Sequence, residues 1–223
     1  MHFVVVKIQL AGALLCWCIP LLPSIIMPAI TTLPTLPANT VLLLIDMQQA
    51  VDDPSWGERN NPQAEAVAAQ LLSLWRSQQR PLCHVRHDSL EPASTYRPGQ
   101  PGHAFKPEVA PLPGEWVLAK QTNSAFIGTD LQARLAAMGC STLVVLGVAT
   151  SNSVEATVRM AGNLGFTVYL VEDACFTFGR ADWSGRWRTA DELHDMSLAN
   201  LHGEYCQVVK AARILLGAAN DGH

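Results

Sequence analysis

Short apolar runs that alternate with stretches of helical spacing constrain the fold more than any other feature. The run at residues 40–45 (TVLLLI) ends on Asp46, and the run at 142–148 (TLVVLGV) carries no charge. A strand that is apolar on both faces suits a parallel sheet covered by helices on both sides. Residues 62–80, which follow the first run, place apolar side chains at helical spacing. The alternation predicts an α/β fold with a parallel sheet and right-handed crossovers.

The same patterns predict the remaining elements in order. Strands are expected at residues 40–45, 81–86, 116–119, 142–148, 167–171 and near 205–209, and helices at 62–80, 129–138, 153–164, 191–201 and near 211–216. Residues 89–115 are rich in Pro and Gly and are too long for a bare connector, so they are interpreted as a substrate-facing loop that could act as a lid. In such sheets ligands bind beyond the carboxyl ends of the strands, which makes polar residues at those ends the functional candidates.

Composition excludes several classes of protein. The chain has 223 residues, 49% of them hydrophobic, which is enough for a sizeable core and excludes global disorder. The net charge is -4 and no Lys/Arg block occurs, so nucleic acid is not an expected partner. The six cysteines are irregularly spaced without a CxxC pair. A disulfide framework is therefore not expected, and a reducing, cytoplasmic location is predicted.

The N-terminal stretch, residues 1–38, is interpreted as an apolar extension. Lys7 is the only Lys or Arg among the first 30 residues, which is typical of a signal peptide or a membrane anchor. Three prolines within residues 20–28 argue against both, and no A-x-A cleavage site follows the apolar stretch at 8–22. We therefore hypothesise that Met27 is the true start. Export or a membrane partner is expected only if residues 1–26 are a real signal or anchor.

Three polar positions stand at the ends of predicted strands. Asp46 follows LLLI directly, Lys120 follows WVLA, and residues 147–154 (GVATSNSV) connect a strand to a helix. A buried Asp beside a Lys would be held ionised, and backbone N–H groups at a helix start can form an oxyanion hole next to a nucleophile. Each feature also has a plain structural interpretation, namely a turn or capping Asp, a lysine that reaches water, and an ordinary N-cap.

Other candidate sites are weaker. His84 and His87 (HVRHD) could bind a metal, but their spacing on a strand places them on opposite faces. Neither a GxGxxG nor a P-loop motif occurs. Cys140, Cys175 and Cys206 are interpreted as buried structural thiols.

Five motifs in a fixed order make the chain similar to a known family. They are LLLIDMQ (42–48), HVRHDS (84–89), PGEWVLAKQTNSAFIGTDL (113–131), GVATSNSVEATVRMAGNLGF (147–166) and VEDACFTF (171–178). From residue 41 to 209 the chain resembles the isochorismatase-like cysteine hydrolases, whose members include nicotinamidase, carbamoylsarcosine amidase and isochorismatase. The resemblance implies a doubly wound, Rossmann-like three-layer fold with about six mostly parallel strands. On this basis the hydrolase domain is assigned to residues 39–217 and a short tail to 218–223.

The resemblance also implies a catalytic trio of Asp, Lys and Cys. Asp46 and Lys120 match the first two, but the cysteine position holds Ser153, since the family pattern G-x-x-T-x-x-C-V reads GVATSNSV here. Backbone groups of Val148 and Ala149 are implied for the oxyanion, together with a cis peptide bond between these two residues. A serine hydroxyl cannot form a stable anion near pH 7 and needs a general base during attack.

Three interpretations of Ser153 follow. In the first interpretation, Ser153 is the nucleophile of an amide or ester hydrolase. Asp46 accepts its proton, and Lys120 orients and stabilises the reacting groups. Alternatively no covalent step occurs and Asp46 protonates a vinyl ether, as is thought for the isochorismatases proper. In the third interpretation the fold persists as a catalytically inactive binding homologue. Amide hydrolysis is the preferred prediction.

The substrate is predicted to be a small molecule. The resemblance assigns substrate contacts to Gln48, Trp56, Asn123 and Phe126. No organic cofactor is expected, and zinc is not implied because the segment DDPSWG lacks the histidine of metal-dependent relatives. By analogy with the family, a homodimer or homotetramer is expected.

Overall fold

The computed structural model describes residues 3–10, 13–20 and 35–220 of the chain. The chain divides into two compact units, Met1–Thr32 and Leu33–His223. The second unit contains the whole strand and helix pattern that the sequence predicts.

The described residues of the first unit form two antiparallel strands, Phe3–Leu10 and Ala13–Pro20, in which Phe3 lies opposite Pro20. Among the described residues, no helix is long and apolar enough to cross a membrane. Met27 lies outside the described residues. The start at that position and the nature of the N-terminal extension therefore stay predictions.

Six parallel strands form the sheet of the second unit. They are β1 (Val41–Ile45), β2 (Leu82–His87), β3 (Trp116–Lys120), β4 (Thr142–Val148), β5 (Thr167–Phe176) and β6 (Gln207–Val209). Their order across the sheet is β6-β5-β4-β1-β2-β3, and all neighbours are parallel. The strand order reverses between β1 and β4, which is the switch point where ligands bind in such sheets. The predicted doubly wound α/β fold is confirmed.

Five helices flank the sheet. They are α1 (Ala64–Ser77), α2 (Leu131–Ala137), α3 (Glu155–Asn163), α4 (Ala190–Leu201) and α5 (Ala211–Asn220). Helix α1 packs against α5, helix α3 packs against α4, and both pairs contact β5. Every residue of β1 and β4 is buried, which explains why both strands are apolar along their whole length. Helix α5 extends into the tail predicted at 218–223.

The structure departs from the predicted elements in two places. Strand β5 continues to Phe176, five residues past the predicted end at 171, because a bulge lets its second half pair with the end of β4. A small hairpin, Arg180–Ala181 with Trp187–Arg188, follows it. Strands of two residues carry no periodicity that a sequence pattern could reveal.

Gly147 permits the close approach of β1 and β4 at the switch point. Its φ is 131°, and a Cβ there would overlap the carbonyl oxygen of Ile45 and lie 2.7 Å from the Ile45 nitrogen. Only glycine fits this position without displacing the neighbouring strand. This close approach of the two strands brings the end of β1, and with it Asp46, directly beside the turn that follows β4.

Candidate active site

Three polar side chains that are distant in the sequence meet at the carboxyl ends of the strands. Nζ of Lys120, the last residue of β3, donates a hydrogen bond to Oδ2 of Asp46 at 2.6 Å. The same ammonium donates to Oγ of Ser153, in the turn after β4, at 3.3 Å. The exposed fractions are 3% for Asp46, 2% for Lys120 and 7% for Ser153. The three side chains thus form one buried cluster at the switch point.

Asp46 turns the chain immediately after β1. Its φ is 51°, a left-handed conformation that Asp adopts more readily than most residues. Its N–H donates to the carbonyl of Val85 in β2 at 2.9 Å, and its carbonyl accepts from the N–H of Gln48 at 2.8 Å. The backbone therefore stays attached to the sheet at the point where the carboxylate meets Lys120.

Burial dominates the electrostatics of Asp46. Desolvation raises the pKa of the Asp46 carboxyl, while the charge and hydrogen bond of Lys120, and more weakly the hydroxyl of Ser153, act in the opposite direction. The second carboxylate oxygen, Oδ1, is buried and has no partner with hydrogen-bond geometry among the described residues. A raised pKa makes this carboxylate a stronger proton acceptor than an ordinary aspartate.

The variant Lys120→Met is expected to lower the free energy of unfolding by about 3–5 kcal/mol at pH 8, since it leaves the Asp46 carboxylate buried without its partner. The loss is smaller at pH 5. Without the ammonium the pKa of Asp46 rises further, so the folded protein takes up a proton above about pH 3.9, where the unfolded chain does not. Stability of the variant therefore increases as the pH falls through that window.

Urea unfolding at the two pH values measures this difference. Lys210→Met is the matched control, because that side chain is 71% exposed and a change within about 0.5 kcal/mol is expected. An equal loss at pH 5 and pH 8 would contradict the assignment of the buried charge to Asp46.

The turn that carries Ser153 has an unusual backbone. The peptide bond between Val148 and Ala149 is cis, as the family resemblance implies. Residues Thr150–Val154 form a π-type turn that leads into α3. Oγ1 of Thr150 lies 2.9 Å from Nδ1 of His194, which ties the turn to α4. The turn is thereby fixed between the sheet and two helices.

A cavity of about 140 Å³ opens beside Ser153. Asp46, Ser153 and four of the other predicted site residues line it: Trp56, Asn123, Val148 and Ala149. Lys120 does not line the cavity, but it contacts two residues that do, Asp46 and Ser153. A cavity of this size suits a small molecule.

Five further residues line the cavity and were not predicted as site residues: His87, Ser94, Tyr96, Asn152 and Phe178. Ser94 and Tyr96 belong to the loop at 89–115, so this loop does contribute to the cavity wall. Three aromatic rings adjoin one another there, with Trp56 stacked on Phe178 at 5.2 Å and edge-on to Tyr96 at 6.2 Å. His87 could have been predicted as a site residue because it is the last residue of β2. Phe178 lies beyond the end of β5, and no sequence pattern marks it as a site residue.

Two predicted substrate contacts, Gln48 and Phe126, do not line the cavity. Gln48 is fully buried, and its amide bonds backbone groups only: it accepts from His87 N–H at 2.7 Å and donates to the carbonyls of His87 and His103. Phe126 packs against Phe166, with ring centroids 5.9 Å apart. Gln48 therefore positions backbone around the site, and Phe126 belongs to the packing behind it.

None of the described cysteines of the second unit takes the place of the family's cysteine at position 153. Cys83, Cys140, Cys175 and Cys206 are free and buried, as predicted for the last three, and none of them lines the cavity. Burial raises the pKa of the Cys83 and Cys175 thiols, which disfavours the reactive thiolate. No group of three or more His, Cys, Asp or Glu within the described ranges is arranged to hold a metal ion.

The fold and the buried cluster define a doubly wound α/β protein with a small cavity at its switch point. The isochorismatase domain family matches residues 40–213. The chain belongs to the isochorismatase family.

Individual relatives agree with this placement. A solved isochorismatase-family structure from Chromobacterium violaceum is 68% identical, covers 87% of this chain and all of its own, and superposes with a TM-score of 0.83. The uncharacterized isochorismatase family protein YrdC of Bacillus subtilis is 38% identical over 174 residues, 78% of this chain and 93% of the relative. Nicotinamidase 3 of Arabidopsis thaliana is 37% identical over 104 residues, 45% of this chain and 47% of the relative.

Proposed function

We propose that this protein hydrolyses the C–N bond of a small amide through a covalent intermediate on Ser153. The observation that carries the proposal is the position of Lys120, whose ammonium contacts both Asp46 and Ser153 beside a cavity of about 140 Å³. The similarity to nicotinamidase 3 supports an amide as the substrate class.

In the first half of the reaction, Oγ of Ser153 attacks the carbonyl carbon while its proton passes to Asp46. Oδ1 is the available oxygen, since Oδ2 accepts from Lys120 and Oδ1 has no such partner among the described residues. The ammonium of Lys120 stabilises the alkoxide character that develops on Oγ. Asp46 then gives its proton to the leaving nitrogen, the C–N bond breaks, and an acyl ester on Ser153 remains.

In the second half, water attacks the ester carbonyl and loses a proton to Asp46. The C–O bond to Ser153 breaks, Oγ recovers the proton, and the carboxylic acid leaves. In both halves the oxyanion would be held by backbone N–H groups near Ala149 and Ser153, at the turn that begins α3, where the helix dipole favours negative charge.

A serine can replace a cysteine here only if the base is strong enough. A hydroxyl has no stable anion near neutral pH, so its proton must leave during the attack. The raised pKa of Asp46 supplies the affinity for that proton, and Lys120 lowers the cost of the charge on Oγ. Because Asp46, Lys120 and Ser153 are all buried, the proton affinity of Asp46 and the stabilisation of charge on Oγ by Lys120 are both stronger than they would be in water.

The same raised pKa supports a second candidate function. A carboxyl whose pKa is raised by burial holds its proton more firmly than an ordinary aspartic acid and can act as a general acid. Asp46 would then protonate a vinyl ether before water attacks, and Ser153 would form only part of the wall.

Hydroxylamine trapping tests for the covalent intermediate. The protein is incubated with a set of small primary amides and esters, and we expect release of ammonia or alcohol. When hydroxylamine is added, the hydroxamate should form, because hydroxylamine competes with water for the acyl ester on Ser153. Intact mass measurement after rapid acid quenching should show one acyl group on the peptide that contains Ser153.

Two outcomes would contradict this prediction. Turnover without hydroxamate or adduct would indicate the non-covalent route, and ligand binding without any turnover would indicate an inactive homologue. Ser151→Ala is the matched control, because this hydroxyl lies in the same turn but bonds Oγ1 of Thr177 at 2.9 Å and does not line the cavity.

A further inference from the structure

His87 touches the reactive cluster, yet no step of the proposed reaction uses it. It is the last residue of β2 and lines the cavity. Its Nδ1 lies 3.4 Å from Nζ of Lys120.

The contact completes the surroundings of the Lys120 ammonium. An ammonium carries three hydrogens and has no acceptor. Asp46 Oδ2 at 2.6 Å, Ser153 Oγ at 3.3 Å and His87 Nδ1 at 3.4 Å supply three acceptors for them. Nδ1 can accept only when it is unprotonated, which places the single ring proton of a neutral His87 on Nε2.

Two buried side chains hold His87 in this position. Gln48 accepts from the His87 N–H at 2.7 Å and donates to the His87 carbonyl at 3.2 Å. The ring meets Tyr96 edge-on, with centroids 5.6 Å apart and planes at 81°. Both the backbone and the ring plane of His87 are therefore fixed before a ligand enters.

Three charged groups act on the His87 ring: Lys120, Asp46 and Asp88. Burial lowers the pKa of His87, the Lys120 charge lowers it further, and the two carboxylates oppose the shift. Asp88 is itself engaged by Arg86 at 2.8 Å and by His103 at 2.7 Å. The neutral imidazole is thus the favoured form at neutral pH.

We propose that His87 is a positioning residue that accepts the third hydrogen of Lys120 and so holds the ammonium against Asp46 and Ser153. This role rests on the proposed hydrolysis. Protonation of His87 would place a second cation against Lys120 and remove the acceptor, so the cluster would lose its arrangement at acidic pH.

Two substitutions separate the acceptor from the bulk of the ring. His87→Phe keeps the bulk and removes the acceptor, and kcat is expected to fall on the order of 10- to 100-fold with little change in KM. His87→Asn restores an acceptor near the position of Nδ1 and should recover most of the loss. His202→Asn is the control, because His202 lies at the end of α4 outside the cavity lining.

The pH profile distinguishes this role from a merely structural one. Asp46 and His87 must both be unprotonated, so log kcat/KM of the wild type should fall at low pH with a slope approaching about two. His87→Asn should reduce that slope to about one. A slope of one in the wild type, or full activity of His87→Phe, would overturn the proposal.

A measurement that needs no activity separates failure of this role from failure of the proposed hydrolysis. ¹⁵N NMR of the imidazoles should show the Nε2–H tautomer of His87 in the wild type, and Lys120→Met should raise the pKa of His87 because the neighbouring cation is lost. The Nδ1–H tautomer, or a pKa that does not change, would exclude the contact even if amides are hydrolysed.

Discussion

The variant Ser153→Ala is expected to lower kcat/KM for a small amide on the order of 10⁶-fold, the scale seen when a hydrolase loses its nucleophile. In the proposed reaction Oγ makes the covalent bond, and no thiol among the described residues lines the cavity to replace it. Steady-state ammonia release, followed at high enzyme concentration, measures the loss.

Ser153→Cys is the informative companion of the alanine variant. The Lys120 ammonium contacts Oγ at 3.3 Å, and a neighbouring cation lowers a thiol pKa below about 8.5. The cysteine variant should therefore retain amide hydrolysis and react with iodoacetamide at neutral pH. If Ser153→Ala keeps its turnover, the covalent mechanism is wrong and the non-covalent route is favoured.

The variant Asp46→Asn is expected to lower kcat by about 10²- to 10⁴-fold, the usual contribution of a general base. The amide cannot accept the Ser153 proton, and it leaves the buried Lys120 without a carboxylate. The control is Asp130→Asn, which should leave turnover unchanged, because the Asp130 side chain is half-exposed and pairs with Arg134 at 2.7 Å.

The pH dependence assigns the role of Asp46. As a base Asp46 must be ionised, so kcat/KM should rise with pH as Asp46, whose pKa is raised, and His87 lose their protons, and should then level off. As a general acid it must be protonated, and kcat/KM would fall through the same pKa. Whether kcat/KM rises or falls with pH therefore decides between attack on an amide by Ser153 and protonation of a vinyl ether by Asp46.

The sheet could be predicted from the sequence because its inner strands are buried on both faces. β1 and β4 show this directly, since each is an unbroken apolar run and each ends within one residue of the expected position. The end of β5 could not be predicted in the same way. Glu172 and Asp173 interrupt its apolar pattern, although the strand continues through them to Phe176.

The candidate site was only partly predictable. Asp46, Lys120 and Ser153 follow from their positions at strand ends and from the family pattern, and the structure brings them together. Gln48 does not line the cavity, because its amide bonds the backbone of His87 and His103 after a turn at Asp46 whose φ of 51° no motif reveals. Phe126 follows Lys120 closely in sequence but packs away from the cavity.

By itself the sequence determined the fold class, the order of the elements and the three polar residues that the structure brings together at the strand ends. These properties are local: burial on both faces selects apolar runs, and a strand end is where a polar residue can first appear. Tertiary structure alone decided the raised pKa of Asp46, the aromatic wall of Trp56, Tyr96 and Phe178, and the contact of His87 with Lys120. Desolvation and contact distance depend on segments that are far apart along the chain, so they exist only once the sheet has brought those segments together.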